Sequence, residues 1–200
     1  MVHNKGENMK RRLASILFVI GVAGCATIGT AITKTNSHVQ MPSYSLVMPP
    51  DRGWYLQRDD GKEYAILTKQ IEPIVWQMRF YKNTLLHDAL IAATAKEVAD
   101  DFRTLEVQVM IEEGVKKGKY QLSDVKIGEE VVGNKKFYTM EHVIVSPSAM
   151  QRASMYLYFP QAKNNRHFFA AHYFETSPPG VVAKSYKEEF LSALASFNVR

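Results

Sequence analysis

The chain contains one cysteine, Cys25, and this limits how the fold can be held together. With no second thiol there is no internal disulfide, so a domain made from this chain must stand on buried apolar surface alone. Two hundred residues, 46% apolar and 22% charged, supply enough of that surface for about one globular domain. Collagen-like, mucin-like and multi-spanning chains are excluded by the same figures.

The surroundings of Cys25 carry a second message. Lys10-Arg11-Arg12 precede an uncharged apolar run from Leu13 to Gly24, the positive and apolar regions of a secretory signal peptide. Val22-Ala23-Gly24-Cys25 then resembles a bacterial lipobox, in which small residues fit the peptidase and the cysteine thiol accepts the lipid. The expectation is a signal peptide over residues 1–24 and lipidation, with palmitate among the acyl chains, at Cys25. A signal anchor is the alternative, because Leu13 to Thr33 carries no charge. Both readings place the body outside the cytoplasm. Residues 1–8 add nothing to the signal, so Met9 is an equally good start. By resemblance to Gram-negative lipoproteins, Ala26 in place of an aspartate implies sorting to the outer membrane, periplasmic side, in a Gram-negative host.

The net charge of +5 lies largely in this leader. Removing Lys5, Lys10, Arg11, Arg12 and Glu7 from 25 basic and 20 acidic residues leaves 21 and 19, a balance of +2. So neutral a body, exported from the cytoplasm, argues against a nucleic-acid partner. Basic clusters at Lys116-Lys117-Lys119, Lys135-Lys136 and Lys163 to Arg166 can touch anionic lipid, though turns carry solvated lysines as a rule.

Residues 25–43 read as a lipidated tether rich in Thr, Ser and Asn, and residues 44–200 as a single α+β domain. Strand patterns occur at Tyr44 to Met48, Trp54 to Asp59, Tyr64 to Leu67 and Ile74 to Tyr81, with a hairpin turn at Asp59-Asp60-Gly61. From Asn83 or Thr84 a helical period takes over, with Ile91, Ala95, Val98, Phe102, Leu105 and Val109 on one face and Gly114 or Gly118 as the stop. Alternation over Leu105, Val107, Val109 and Ile111 leaves a strand open for its last third. Phe137 to Val145, Ala153 to Phe159 and His167 to Glu175 form an antiparallel meander, the last two joined through Asn164-Asn165. After Pro178-Pro179-Gly180 a closing helix carries Val182, Tyr186, Phe190, Ala193 and Phe197 as its apolar stripe. The order predicts an antiparallel sheet packed by a long central helix and a C-terminal helix.

Pro49-Pro50-Asp51-Arg52-Gly53-Trp54 followed by this order, ending in Ser196-Phe197-Asn198-Val199, resembles the PsbP-like fold and, within it, bacterial lipid-anchored proteins of the DcrB type. The resemblance covers Tyr44 to Val199. It implies an accessory or assembly module and carries no common active site.

The residues themselves offer little catalytic chemistry. No phosphate loop, nucleophile elbow or His-Glu-x-x-His occurs, and no cofactor is expected. His167 and His172 are five apart in a strand and face opposite ways. Glu141 and His142 are the best catalytic candidates of the competing enzyme reading, and no metal site is expected. Adjacent acidic pairs at Asp59-Asp60, Asp100-Asp101, Glu112-Glu113, Glu129-Glu130 and Glu188-Glu189 fit solvated surface, and Ser146-Pro147-Ser148 fits a turn. The remaining feature is aromatic: Tyr156, Tyr158, Phe168, Tyr173 and Phe174 crowd one hairpin. One side of that hairpin must be core, and the other is a candidate face for an envelope protein partner. The expected function is a non-enzymatic binding or assembly module on the membrane, the alternatives being an envelope enzyme or a module for a small ligand or lipid.

Overall fold

The computed structural model describes residues 29–85, 93–160 and 166–200. The signal and lipobox residues, Cys25, Ile91, Lys163 and Asn164-Asn165 lie outside the described residues. Six strands come first: β1 (Thr30–Ala31), β2 (His38–Gln40), β3 (Tyr44–Val47), β4 (Tyr55–Asp59), β5 (Tyr64–Ile71) and β6 (Ile74–Thr84). Helix α1 (Ala95–Met110) leads to β7 (Gln121–Val132), β8 (Lys135–Val145), β9 (Met150–Tyr158) and β10 (His167–Ser177). Helix α2 (Lys187–Ser196) and β11 (Asn198–Val199) close the chain.

Two meanders build one antiparallel sheet in the order β1-β4-β5-β6-β10-β9-β8-β7. They meet where β6 pairs with β10, from Val75 opposite Thr176 to Thr84 opposite His167. α1 carries the chain from the middle of the sheet to its far edge, and the second meander walks back. A small sheet, β11-β3-β2, lies beside α2. This is the expected α+β architecture.

Alternation decides the two faces. Leu67, Met78, Phe80, Phe169, Ala171, Tyr173, Tyr156 and Phe137 point to α2 and the small sheet, where Phe190, Ala193, Leu194 and Phe197 join them in one core. Tyr81, Phe168, Ala170, Met155, Leu157, Met140 and Ile144 point to α1 and pack with Val98, Ala99, Phe102 and Met110. Both faces are covered.

The domain begins earlier than the composition suggests. Ile32, Val39 and Met41 are buried in the α2-side core, and Gly29 lies against the Leu56 carbonyl. The segment taken as tether up to residue 43 is therefore mostly folded. β1 and β2 hold two and three residues, too few to show a period.

α1 also starts later than its period suggests. β6 runs on to Thr84, and the helix opens at Thr94, whose hydroxyl accepts from the Glu97 N–H while the Glu97 carboxylate accepts from the Thr94 N–H. Its inward stripe is Val98, Ala99, Phe102, Arg103, Glu106 and Met110. Leu105 and Val109 are only half-buried, so two charged residues sit where a purely apolar period places leucine and valine. The open strand alternative at its end is settled as helix, which finishes in a π turn, Ile111–Val115, with Gly118 at φ 65° beyond it.

Within the π turn Gly114 lies under Tyr120, whose hydroxyl donates to the Met110 carbonyl at 3.0 Å. A Cβ at Gly114 would stand 1.8 Å from the Tyr120 ring. Gly114→Ala is expected to cost about 1 to 3 kcal/mol by overpacking, read as a lower denaturation midpoint, and Gly114→Ala/Tyr120→Phe is expected to rescue nothing because the ring remains.

At the C-terminal end the stripe begins at Tyr186, not Val182. Val182 precedes the helix and is 86% exposed, because the chain after Pro178-Pro179-Gly180 enters no helix until Lys187.

Candidate functional site

On the α2 side the polar groups are tied into structure. Trp54 donates from Nε1 to the Glu189 carboxylate at 2.6 Å, and Trp76 donates to the Lys184 carbonyl at 3.0 Å. Lys69 is buried between them: its ammonium donates to the Arg52 carbonyl at 2.6 Å and lies 3.7 Å from the Tyr186 ring centroid. The Pro-Gly-Trp segment is thus a latch between the sheet and the start of α2. Glu141 accepts from Ser154 and pairs with Lys187, and that ion pair first of all holds its carboxyl below the ordinary range.

The α1 side collects the groups that structure leaves over. Next to α1, β6, β10 and β8 bring up Gln77, Arg79, Tyr81, His172, Phe174 and His142. Arg79 donates to the Gln77 side chain at 2.7 Å, and its guanidinium lies 4.7 Å from the Phe174 ring centroid. His172 Nε2 is 2.8 Å from the Tyr81 hydroxyl. Burial raises the Tyr81 phenol, so the phenol keeps its proton, and phenol and imidazole share one hydrogen bond. Burial lowers His142 to about 4. The same cause, followed by the Arg79 charge, lowers His172 to about 3. Both rings retain some exposed surface, while Nδ1 of His142 is enclosed. Glu106, facing the sheet from α1, is pushed up to about 7 by desolvation. Arg79 Nε and His142 Nδ1 are buried without a hydrogen-bond partner.

This shelf holds two neutral imidazoles, a stacked guanidinium and a phenol. It can exchange hydrogen bonds with a polar ligand and take up protons in acid. Among the described residues no group of three His, Cys, Asp or Glu is arranged to hold a metal.

The structure separates the candidates taken from the sequence. Glu141 and His142 are neighbours that point to opposite faces, one to Lys187 and the other to the shelf, so they do not form one site. His167 and His172 do face opposite ways: His167 lies by Thr84, 3.2 Å from its hydroxyl. Tyr156, Phe168 and Tyr173 are 1%, 4% and 2% exposed, and Tyr158 and Phe174 are half-buried. Tyr156, Phe168 and Tyr173 of the expected partner face are therefore core, because each face of the sheet has a helix over it, while Tyr158 and Phe174 keep part of their surface in solvent. Lys116-Lys117-Lys119 and Lys135-Lys136 lie at opposite ends of the twelve-residue β7, about 40 Å apart, with Lys117 paired to Glu113 and Lys136 to Glu129. Ser146 closes a turn onto Ala149. The groups that sequence reasoning passed over are Arg79, Tyr81 and Glu106. Glu106 stands four residues from both Phe102 and Met110, a spacing that its charge kept from being read as inward.

In sequence, the chain matches no protein-family model and no curated protein. In fold it is similar to solved structures. The cyanobacterial PsbP (CyanoP) of Synechocystis sp. PCC 6803 superposes with a TM-score of 0.50 at 13% identity, over 88% of this chain and 97% of that one. LpqN of Mycobacterium tuberculosis, described as involved in cell envelope biogenesis, gives 0.43 at 10% identity over 86% and 99%. A Bacteroides thetaiotaomicron protein gives 0.39 at 11% over 78% and 45%. The first of these shows a PsbP-like fold.

Proposed function

We propose that the chain is a lipid-anchored, non-enzymatic accessory module of a bacterial cell envelope, exported and held to the membrane through Cys25. The observation that carries this reading is the closeness of the lipobox to the fold. Cys25 stands five residues before β1, and Ala26 to Gly29 reach at most about 14 Å when extended. A lipid on Cys25 keeps the domain at the bilayer surface rather than on a long leash, which suits a module that serves a membrane-bound assembly. Among the described residues no helix is long and apolar enough to cross a membrane. The PsbP-like fold supports accessory work, and the parting of Glu141 from His142 removes the pair on which an enzyme reading leaned. Ala26 favours the outer membrane in a Gram-negative host.

Cys25→Ser is expected to abolish incorporation of radioactive palmitate and to leave uncleaved precursor, with the body still exported. Normal processing of that variant would sink the anchor and point to another cleavage site.

A second reading, a module for a small polar ligand, is favoured by the unpaired Arg79 Nε and His142 Nδ1 beside α1. His142→Ala then weakens capture of that ligand, whereas under the accessory reading a folded His142→Ala chain keeps its role.

A further inference from the structure

We infer that two copies of this chain pair edge to edge through β7, antiparallel, about a two-fold axis at Gly128. Among the described residues β7 is the last strand of the large sheet, twelve residues long with one paired side. The other terminal strand, β1, has two residues. Long open edges are normally guarded, yet this one displays Ile127 at 54% exposure and Val131 at 69%. Its guard is confined to one end: a bulge between Ser123 and Lys126, with Asp124 at φ 53°, leaves the strand regular from Lys126 to Val132.

The free hydrogen-bonding groups can be assigned. Arg103 Nη1 lies 2.9 Å from the Gly128 carbonyl oxygen and 3.0 Å from that of Thr139, the residue opposite it in β8. One nitrogen reaches both oxygens only if both lie in the gap between the strands, which makes Gly128 and Thr139 a hydrogen-bonded pair. Orientation alternates along a strand, so Ile127, Glu129 and Val131 turn their N–H and C=O outward.

The occupant follows from self-complementarity. A two-fold axis standing on the sheet sets residues of one face against residues of the same face, so it passes through a residue position. Centred on Gly128, Lys126 opposes the second copy's Glu130 and Ile127 its Glu129, each pairing occurring twice. Centring on Ile127 lets only Lys126 to Gly128 of the regular stretch pair and leaves Glu130 without an opposite charge, and centring on Glu129 sets that carboxylate against itself, a like-charge contact that destabilises. The Gly128 register alone of the three sets opposite charges against each other, Lys126 against Glu130, and Ile127 and Glu129 supply its hydrogen-bond rungs.

The test is oxidative crosslinking of the full chain in its native membrane. Gly128→Cys places two thiols across the axis on one face of the joined sheet, within disulfide reach. The expected result is a reducible species of doubled mass that persists in Cys25→Ser/Gly128→Cys, is absent from the wild type and is absent from exposed Lys116→Cys. Adding Lys126→Glu is expected to remove the dimer, and adding Glu130→Lys to that variant to restore it. A Gly128→Cys chain with an unchanged thermal melt and no dimer overturns the inference. So does equal crosslinking of Lys116→Cys, or a product whose mass belongs to a different protein.

Discussion

Deleting Val182 to Arg200 is expected to leave a chain without a cooperative thermal transition. The lost segment holds Phe190, fully buried with its ring centroid 5.9, 5.4 and 5.5 Å from those of Phe80, Tyr156 and Tyr173. It also holds Phe197, which packs on Tyr44 and Phe169, and Tyr186, which closes over Trp54 and Trp76. Each large side chain contributes about 1.5 to 3 kcal/mol by burial, against a total stability of about 5 to 15 kcal/mol. Removing three of them, and uncovering the face beneath, exhausts the stability. Phe190→Ala alone is expected to cost about 3 to 5 kcal/mol. Circular dichroism melts check both, and an unchanged melt in the deletion would show that α2 is not part of the core.

The second large effect is acid destabilisation centred on the α1-side shelf. His142 and His172 titrate near 4 and 3 in the folded chain against an ordinary 6.5, so unfolding takes up protons. Their stabilising contribution is complete above about pH 6.5 and is lost as pH falls towards the folded values. At pH 5 the loss is about 2 kcal/mol for each ring, about 4 kcal/mol together. Glu106 acts in the opposite sense: titrating near 7 when folded, it weakens the fold as pH rises from its ordinary value through 7. Denaturant titrations at pH 5 and pH 8 separate them. His142→Gln/His172→Gln is expected to flatten the acid side, and Glu106→Gln to raise stability at pH 8 with no effect at pH 4. An acid limb of unchanged slope in the double variant would show that other groups drive it.

Much of the architecture was legible because periodicity reports which way a side chain faces. Ile74 to Tyr81, Phe137 to Val145 and His167 to Glu175 are long enough for alternation to stand out, and they became β6, β8 and β10. The central and closing helices declared themselves through Val98, Phe102, Phe190 and Ala193. The opposite orientation of His167 and His172 was legible for the same reason. β1 and β2 were not, since two or three residues contain no period. Neither was the inward turn of Arg103 and Glu106, because charge in a helix reads as solvent until a sheet is packed against it.

By itself, then, the sequence determined that the fold lacks an internal disulfide, that its elements run strands, helix, strands, helix, and which residues of each long element share a face. These follow from covalent connectivity and local geometry, which the order of residues encodes directly. Only the tertiary structure decided that Tyr156, Phe168 and Tyr173 of the aromatic hairpin are buried, that Glu141 and His142 part company, and that Arg79, Tyr81, His142, His172 and Glu106 gather beside α1. It also decided that, among the described residues, β7 ends the sheet with an open edge. The physical reason is that burial belongs to pairs of surfaces: a strand's alternation shows that it has two faces, and only the docking of α1 and α2 determines what each face meets.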